Sequence, residues 1–383
     1  MRILIFSLDP KMADPESGAR VRHREYATLV EEMVIIVLAP TPKRGTWQDG
    51  RLTIHAHGSR GGPKLWYWFT GIIWGIRSGR KEGRRLAREG DTLATSPEPF
   101  GVGLITYLVA HSLRIPLQLQ IHTDIFAHEF AASLKNKLFL ILARFMLPRA
   151  QGIRVVSQKI KEGLQAAHCK LQAEPVVLPV FVDAQMWQHA KPTFQLLERF
   201  SRLNPAILWV GRLTPEKNPA LAIETLAELK KTHPDAGLIM VGHGPECETL
   251  ALLVARLNMK ESVVFAGWQS DLVPYYKGAH ALLVTSHFEG YGMQMIEAAL
   301  CSLPIVATDV GVAREVGGHI AAGNPTALAR ALGPLLAQER EDGEGHADKS
   351  ARAHPELVLD KKTYHTRLLA TWQACLESKK AAK

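Results

Sequence analysis

A chain of 383 residues exceeds what one hydrophobic core usually serves, so two domains are the expectation. The apolar share of 46% is ordinary for a globular protein, and no apolar run reaches the roughly 20 residues that a membrane-spanning helix needs. The net charge of +9 is confined to one half: residues 1–185 hold 25 Lys and Arg against 16 Asp and Glu, and the remainder holds 21 of each. A basic first half points to an anionic partner, whether nucleic acid, an anionic membrane surface or a phosphorylated substrate. Cys169, Cys247, Cys301 and Cys375 are scattered, match no metal spacing, and fit a reducing, cytoplasmic setting.

Residues 3–8 read as a buried strand, too short and wrongly flanked for a signal peptide. A loop from Asp9 to Ser17 follows, closed by Gly18, and then a helix over 19–32. Arg20, Arg22, His23 and Arg24 fall in its first turns, where cations oppose the helix dipole, so they either answer something negative or form a solvated face. The loop lacks GxGxxG, so a dinucleotide fingerprint is absent. Residues 33–38 read as the next strand. In 65–76, apolar residues at 65, 69, 72 and 76 keep a helical period and run into Arg77, Arg80, Lys81, Arg84, Arg85 and Arg88. A helix covering a sheet is the favoured reading. A membrane-surface helix with Trp66, Trp68 and Trp74 at the interface is the alternative.

Short strands at 92–95 and 116–121 flank a helix over 101–111. His122 and Asp124 follow the second strand at its carboxyl end, where α/β ligand crevices lie. A lone His is more often structural than catalytic, and this position narrows those odds. A second amphipathic helix spans 134–147, with Lys135, Lys137, Arg144 and Arg149 on or near it, and strands at 152–157 and 176–178 complete the half. From 184 to 205 the periodicity fades around Pro192 and Pro205, which reads as a linker. Strands at 206–210, 238–241, 263–266, 281–285 and 305–308 then alternate with helices, the grammar of βαβ units and a parallel sheet. A charged segment at 339–350 reads as a mobile loop, and the last helix spans 363–376.

The stretch Thr285 to Glu297 is the centre of the second half. A strand ends, a turn with Gly290, Tyr291 and Gly292 follows Glu289, and a helix beginning near Met293 carries Glu297 eight positions on. Free N–H groups at such a helix start favour an anion, and the glycines admit a phosphate close to the backbone. Two carboxylates there would repel phosphate, so sugar hydroxyls are their natural partners. Gly211-Arg212 to Lys217-Asn218-Pro219 repeats the strand–loop–helix grammar, with Asn218 as N-cap and Pro219 as first helical residue. Arg212 and Lys217, converging from one loop, suit a diphosphate. Gly242-His243-Gly244-Pro245 adds a third strand end with free backbone, and Trp268 follows a fourth.

These residues carry a specific resemblance. Gly211-Arg212 with Glu216-Lys217, Val241-Gly242-His243-Gly244-Pro245-Glu246, Phe265-Ala266-Gly267, and Glu289 with Glu297 resemble the retaining nucleotide-sugar glycosyltransferases of family four, with the GT-B fold. The match is close over 205–316 and looser through Gly18, His122 and Ser157. It departs at Cys301-Ser302, where a glycine is common, and at Leu178-Pro179-Val180, where Asn-Gly is often seen.

The resemblance implies two Rossmann-like α/β domains with parallel sheets facing across a cleft. These are an acceptor-binding domain over 1–183, a linker over 184–205, a nucleotide-sugar-binding domain over 206–360, and a final helix over 361–383 returning to the first. It implies that Arg212 and Lys217 neutralise the donor diphosphate, Glu297 holds the ribose and Glu289 meets the transferred sugar. Gly18, His122, Gly211, Gly242, Gly244, Gly290, Tyr291, Gly292 and Trp268 would line the donor, and Arg20, Arg24 and Asp124 would lie on the acceptor side. No cofactor and no obligatory metal are implied. A UDP- or GDP-linked sugar would be the donor, a glycan or lipid-linked glycan the acceptor, and the location cytoplasmic, in places peripheral to a membrane. The rivals are an epimerase or hydrolase on the same plan, or a basic membrane- or nucleic-acid-binding protein with a degenerate site.

Overall fold

The computed structural model describes residues 1–41, 44–58, 64–336 and 356–381, with the side chains of 40, 64–69, 128, 129 and 381 outside that description. The chain divides into two compact units, Met1–Leu178 with Lys362–Lys383, and Pro179–Lys361. The charged segment 339–350 lies outside the described residues.

In the first unit, strands and helices follow as β1 (Arg2–Ser7), α1 (Gly18–Ala27), β2 (Glu32–Thr41), β3 (Gly45–Asp49), β4 (Leu52–Gly58) and α2 (Lys64–Glu89). Then come β5 (Thr92–Ser96), α3 (Gly101–Leu113), β6 (Leu117–Ile121), α4 (Leu134–Met146), β7 (Gly152–Val155), α5 (Gln158–Ala166) and β8 (Val176–Val177). Among the described residues they form one sheet in the order β3-β4-β2-β1-β5-β6-β7-β8, parallel except for the β3–β4 pair. β1 lies inside this sheet, and its run Ile3-Leu4-Ile5-Phe6 is buried, as a strand covered on both faces requires.

Four differences from the expected elements have physical causes. α1 stops at Ala27, where the Thr28 hydroxyl donates to the Glu25 carbonyl and the chain turns into β2. The β3–β4 hairpin was not foreseen. Gly50-Arg51 makes its turn between the paired Asp49 and Leu52, with Gly50 at φ +63°, and β4 alternates buried and half-buried residues. The aromatic stretch and the basic stretch form one continuous helix, α2, whose Trp74 packs against the first unit's core. α5 was also missed; Ser157 Oγ caps it by accepting from the Ile160 N–H.

The second unit opens with α6 (Ala184–His189) and α7 (Leu196–Arg199), then β9 (Ala206–Val210), α8 (Pro219–Leu229), β10 (Gly237–Val241), α9 (Cys247–Arg256), β11 (Val263–Gly267) and α10 (Val273–Gly278). It continues with β12 (Ala281–Val284), α11 (Met293–Leu300), β13 (Ile305–Ala307), β14 (His319–Ile320) and α12 (Pro325–Leu336). The sheet order is β11-β10-β9-β12-β13-β14, parallel throughout. Ile207, Trp209, Leu238, Met240 and Leu283 of the strands meet Ile223 and Leu226 of α8 and Leu328 and Leu332 of α12 in its core. Residues 184–205, expected as a linker, instead fold onto this unit. Trp187 is buried edge-on against Tyr276, and Lys277 Nζ donates to the Gln188 and Ala190 carbonyls. Their helices are too short for a periodic pattern to show.

The last helix, α13 (Lys361–Ala381), belongs with the first unit from Lys362 onward. Arg154 on β7 donates to Tyr364 Oη at 3.0 Å, and Gln118 on β6 donates to the Thr371 carbonyl at 3.1 Å. Trp372 and Cys375 are buried beside them. Among the described residues, no helix is long and apolar enough to cross a membrane.

Candidate active site

The carboxyl ends of β9, β10, β12 and β13 release four loops that are bonded to one another. Leu213 N–H donates to the His243 carbonyl and Glu246 N–H returns a bond to the Leu213 carbonyl. His287 N–H donates to the Glu216 carbonyl, and Thr308 Oγ1 donates to the Ser286 carbonyl. Thr285, at the end of β12, is the knot. Its hydroxyl accepts from Trp209 Nε1 at 3.1 Å and sits 2.8 Å from the Asn218 carbonyl. Gly242 is required by close approach: at φ +138° a Cβ would stand 1.8 Å from the Gly211 carbonyl oxygen. Gly292, at φ +95°, is the N-cap of α11 and turns the chain from the Glu289 loop into the helix.

Within this frame Lys217 Nζ lies 2.5 and 2.6 Å from the two carboxylate oxygens of Glu289. Ser286 Oγ and Gln294 Nε2 add bonds to Oε1 at 2.8 and 2.9 Å. Glu289 is only 6% exposed, so this is a desolvated carboxylate held by four donated bonds. Arg212 has a different partner: its guanidinium bonds Glu216 at 3.2 Å and is 75% exposed. The two cations thus leave one loop with Lys217 turned inward and Arg212 outward, where convergence was expected.

Glu297, one turn along α11, has its own neighbour. Tyr276 Oη, from α10, donates to Oε2 at 2.7 Å. Burial lifts the Glu297 carboxyl to about 7, against the pull of the Tyr276 bond. Burial first, and then the Glu297 carboxylate, push the Tyr276 hydroxyl well above its ordinary range. Tyr276 was not singled out from the sequence, and Thr285, Ser286 and Gln294 stood in the stretch around Glu289 without a role of their own. Ser286 and Gln294 flank Glu289 closely enough that their spacing was a usable signal; Tyr276 gave none.

Of the remaining expected residues, Gly211 bonds through its N–H to the Val241 carbonyl, and Gly244 lies against the backbone of Leu213. Tyr291 is buried, and its carbonyl accepts from the Val312 N–H. Trp268 is 75% exposed after β11. Asn218 stands at the N-cap of α8 in a left-handed conformation, φ +47°, without a side-chain bond to that helix, so its expected capping role is corrected. Among the described residues, no group of three or more His, Cys, Asp or Glu is placed to hold a metal ion.

The first unit holds the other candidates. Gly18 is the first residue of α1. Arg20 is buried, with Nε 3.5 Å from Asp49, and Arg24 reaches the same carboxylate, so part of the basic helix start answers an internal acid. His122 bonds Gln120 Oε1 at 3.2 Å, an atom that also accepts from Arg154. Asp124 Oδ1 accepts from the Phe126 and Ala127 N–H groups and closes a turn.

Residues 199–352 match the family described as Glycosyl transferases group 1. The chain is 29% identical to the 2-deoxystreptamine glucosyltransferase of Streptomyces kanamyceticus over 60% of its own length and 66% of that protein's. It is 36% identical to the D-inositol 3-phosphate glycosyltransferase of Acidothermus cellulolyticus, over 35% of this chain and 34% of the relative. The matched segments thus span about a third to two thirds of these relatives. Among solved structures, Anabaena Alr3699/HepE in complex with UDP and glucose superposes with a TM-score of 0.67 at 18% identity, over 100% of this chain and 98% of that one. Residues 199–352 thus match a group 1 glycosyltransferase domain, and the two sheet-based units share the GT-B fold of that solved structure.

Proposed function

We propose that this chain transfers a sugar from a UDP- or GDP-linked donor to a hydroxyl acceptor, a glycan or lipid-linked glycan, with retention at the anomeric carbon. The observation that carries the reading is the cluster at the strand ends of the second unit: Lys217 on Glu289, Arg212 on the same loop, and Glu297 on the helix that follows. Breaking the anomeric C–O bond leaves charge on the diphosphate, which Arg212, Lys217 and the start of α11 are suited to stabilise. Glu289 holds Lys217 in place and offers a carboxylate to sugar hydroxyls, and Glu297 accepts from the ribose once ionised. In the step itself, the acceptor oxygen bonds to the anomeric carbon on the face that the phosphate leaves. The acceptor proton passes to the departing phosphate oxygen, so no protein nucleophile and no obligatory metal are needed. Finer parts of the reading are a cytoplasmic location and contact with an anionic membrane surface, supported by the four unpaired cysteines and the basic first half.

Titration of radiolabelled UDP-glucose and GDP-mannose against the wild type, Arg212→Ala and Glu297→Ala tests the donor site. Binding unchanged in both variants defeats it. Donor turnover as rapid without acceptor as with it favours a hydrolase or epimerase, and a glycosyl adduct trapped on Glu289 overturns the same-face step.

A further inference from the structure

The helices α2, α3 and α4 lie side by side in the first unit. α2 and α3 share one core against the sheet, Arg80 Nε donates to Ser112 Oγ between them, and Tyr107 of α3 meets Phe145 of α4 edge-on. α4 turns Ala143 and Met146 inward and leaves Leu134, Leu138, Ile141 and Phe145 exposed at 85%, 55%, 65% and 44%. Their spacing of four, three and four residues places them in one stripe along the helix. A single exposed leucine is ordinary; four large apolar side chains in line are not. Ile73 on α2 and Leu108 on α3 are exposed as well.

Cations border this stripe. Lys137 and Arg144 follow one edge of α4, Lys135 the other, and Arg149 stacks over Phe145 at 3.9 Å from the ring centre. From Phe130 to Lys161 the chain contains no Asp or Glu. On α2, Arg77, Lys81, Arg84 and Arg88 are exposed along the helix, and none has an ion-pair partner among the described residues.

We propose that the outer surface of the α2–α3–α4 layer is a docking face for an anionic lipid bilayer. The inference deepens the membrane part of the proposed function and is independent of the donor site. Apolar side chains in a row enter the boundary between headgroups and acyl chains, and cations to either side meet the lipid phosphates. A second copy of the chain fits poorly, because a two-fold interface would press this basic face against itself. Nucleic acid would satisfy the cations and leave the α4 stripe without an apolar partner.

Sedimentation of the full chain with vesicles of phosphatidylcholine, with and without phosphatidylglycerol, tests this. The expected result is binding to the anionic vesicles, weakened by salt. It should fall about fivefold for each cation removed in Arg77→Gln and Arg84→Gln, and at least tenfold in Leu138→Asp with Ile141→Asp. Nucleotide-sugar binding stays at the wild-type level, and thermal unfolding of the full chain, measured on the same preparations, reports that the first unit of each variant is folded. Equal binding to neutral and anionic vesicles overturns the proposal, as does no vesicle binding at all. Wild-type binding in the Leu138→Asp, Ile141→Asp variant also overturns it, leaving membrane contact to another surface. Loss of heparin binding in the arginine variants without any vesicle binding would assign the face to a polyanion instead.

Discussion

Lys217 and Glu289 are separated by 72 positions in the chain, yet the ammonium touches both oxygens of the carboxylate, at 2.5 and 2.6 Å. The contact joins the loop after β9 to the loop after β12, and thus fixes the spacing of the groups proposed to bind the donor. Lys217→Ala leaves a buried carboxylate with only Ser286 and Gln294. The expected loss is about 3 kcal/mol, since removing one partner of a buried pair uncovers the other's desolvation. Thermal unfolding of Lys217→Ala beside Lys217→Met with Glu289→Leu checks this. The double variant, which strands no charge, should be the more stable of the two.

Arg212→Ala should behave in the opposite way. The side chain is 75% exposed and, among the described residues, is bonded to Glu216 along its own loop, so stability should change by less than about 0.5 kcal/mol. Transfer should fall on the order of 10²–10³ if this guanidinium meets the leaving diphosphate. Unfolding curves and initial rates, measured together, separate the two effects. A rate within a factor of two of the wild type would remove Arg212 from the mechanism.

Glu297 makes the site sensitive to pH. With its carboxyl raised to about 7 in the folded chain, the folded state holds a proton that the unfolded chain releases near its ordinary value of 4.5. The folded form therefore binds more protons between about pH 4.5 and 7, and the contribution of this group to stability falls as pH rises through that window. In Glu297→Gln that part of the slope should vanish. Donor binding should run the other way in the wild type, tightening as pH rises past about 7 and Glu297 ionises. Tyr276→Phe, by removing a bond that favours the ionised form, should move that midpoint upward. Calorimetric titration of a nucleoside diphosphate across the range gives both readings.

Gly242→Ala tests the backbone frame alone. The added Cβ meets the Gly211 carbonyl oxygen at 1.8 Å, and φ is +138°. Strain of this kind costs about 1–3 kcal/mol, and the overlap adds to it. A lowered melting temperature and weaker donor binding should appear together, because the loop that moves carries Arg212.

Much of this was legible beforehand. Ile207 to Val210, Leu238 to Val241 and Ala281 to Val284 are uninterrupted apolar runs ended by small or polar residues, the signature of strands buried on both faces, and the structure finds strands there. Glu289 and Glu297 stood out because carboxylates beside glycines at a helix start need a reason. The partners of those carboxylates were not legible. Tyr276 reaches Glu297 from another helix, and Lys217 reaches Glu289 from another strand end, so both contacts are made by tertiary packing and by no local pattern. The β3–β4 hairpin was missed although Gly50-Arg51 and the alternation after Leu52 announce it, because the polar neighbours hid the period. On α4 the periodicity showed a helix and an apolar side. It could not show that Leu134, Leu138 and Ile141 face solvent while Ala143 and Met146 face the core.

The anchoring of α13 by Arg154 and Gln118 carries a consequence for biosynthesis. The first unit is interrupted, its last helix arriving only after the whole of the second has been translated. Until then, the side of the sheet bearing Arg154 lacks Tyr364 and Trp372, so a ribosome-bound chain ending before Lys361 should be protease-sensitive within its earliest residues, although the later unit is already closed.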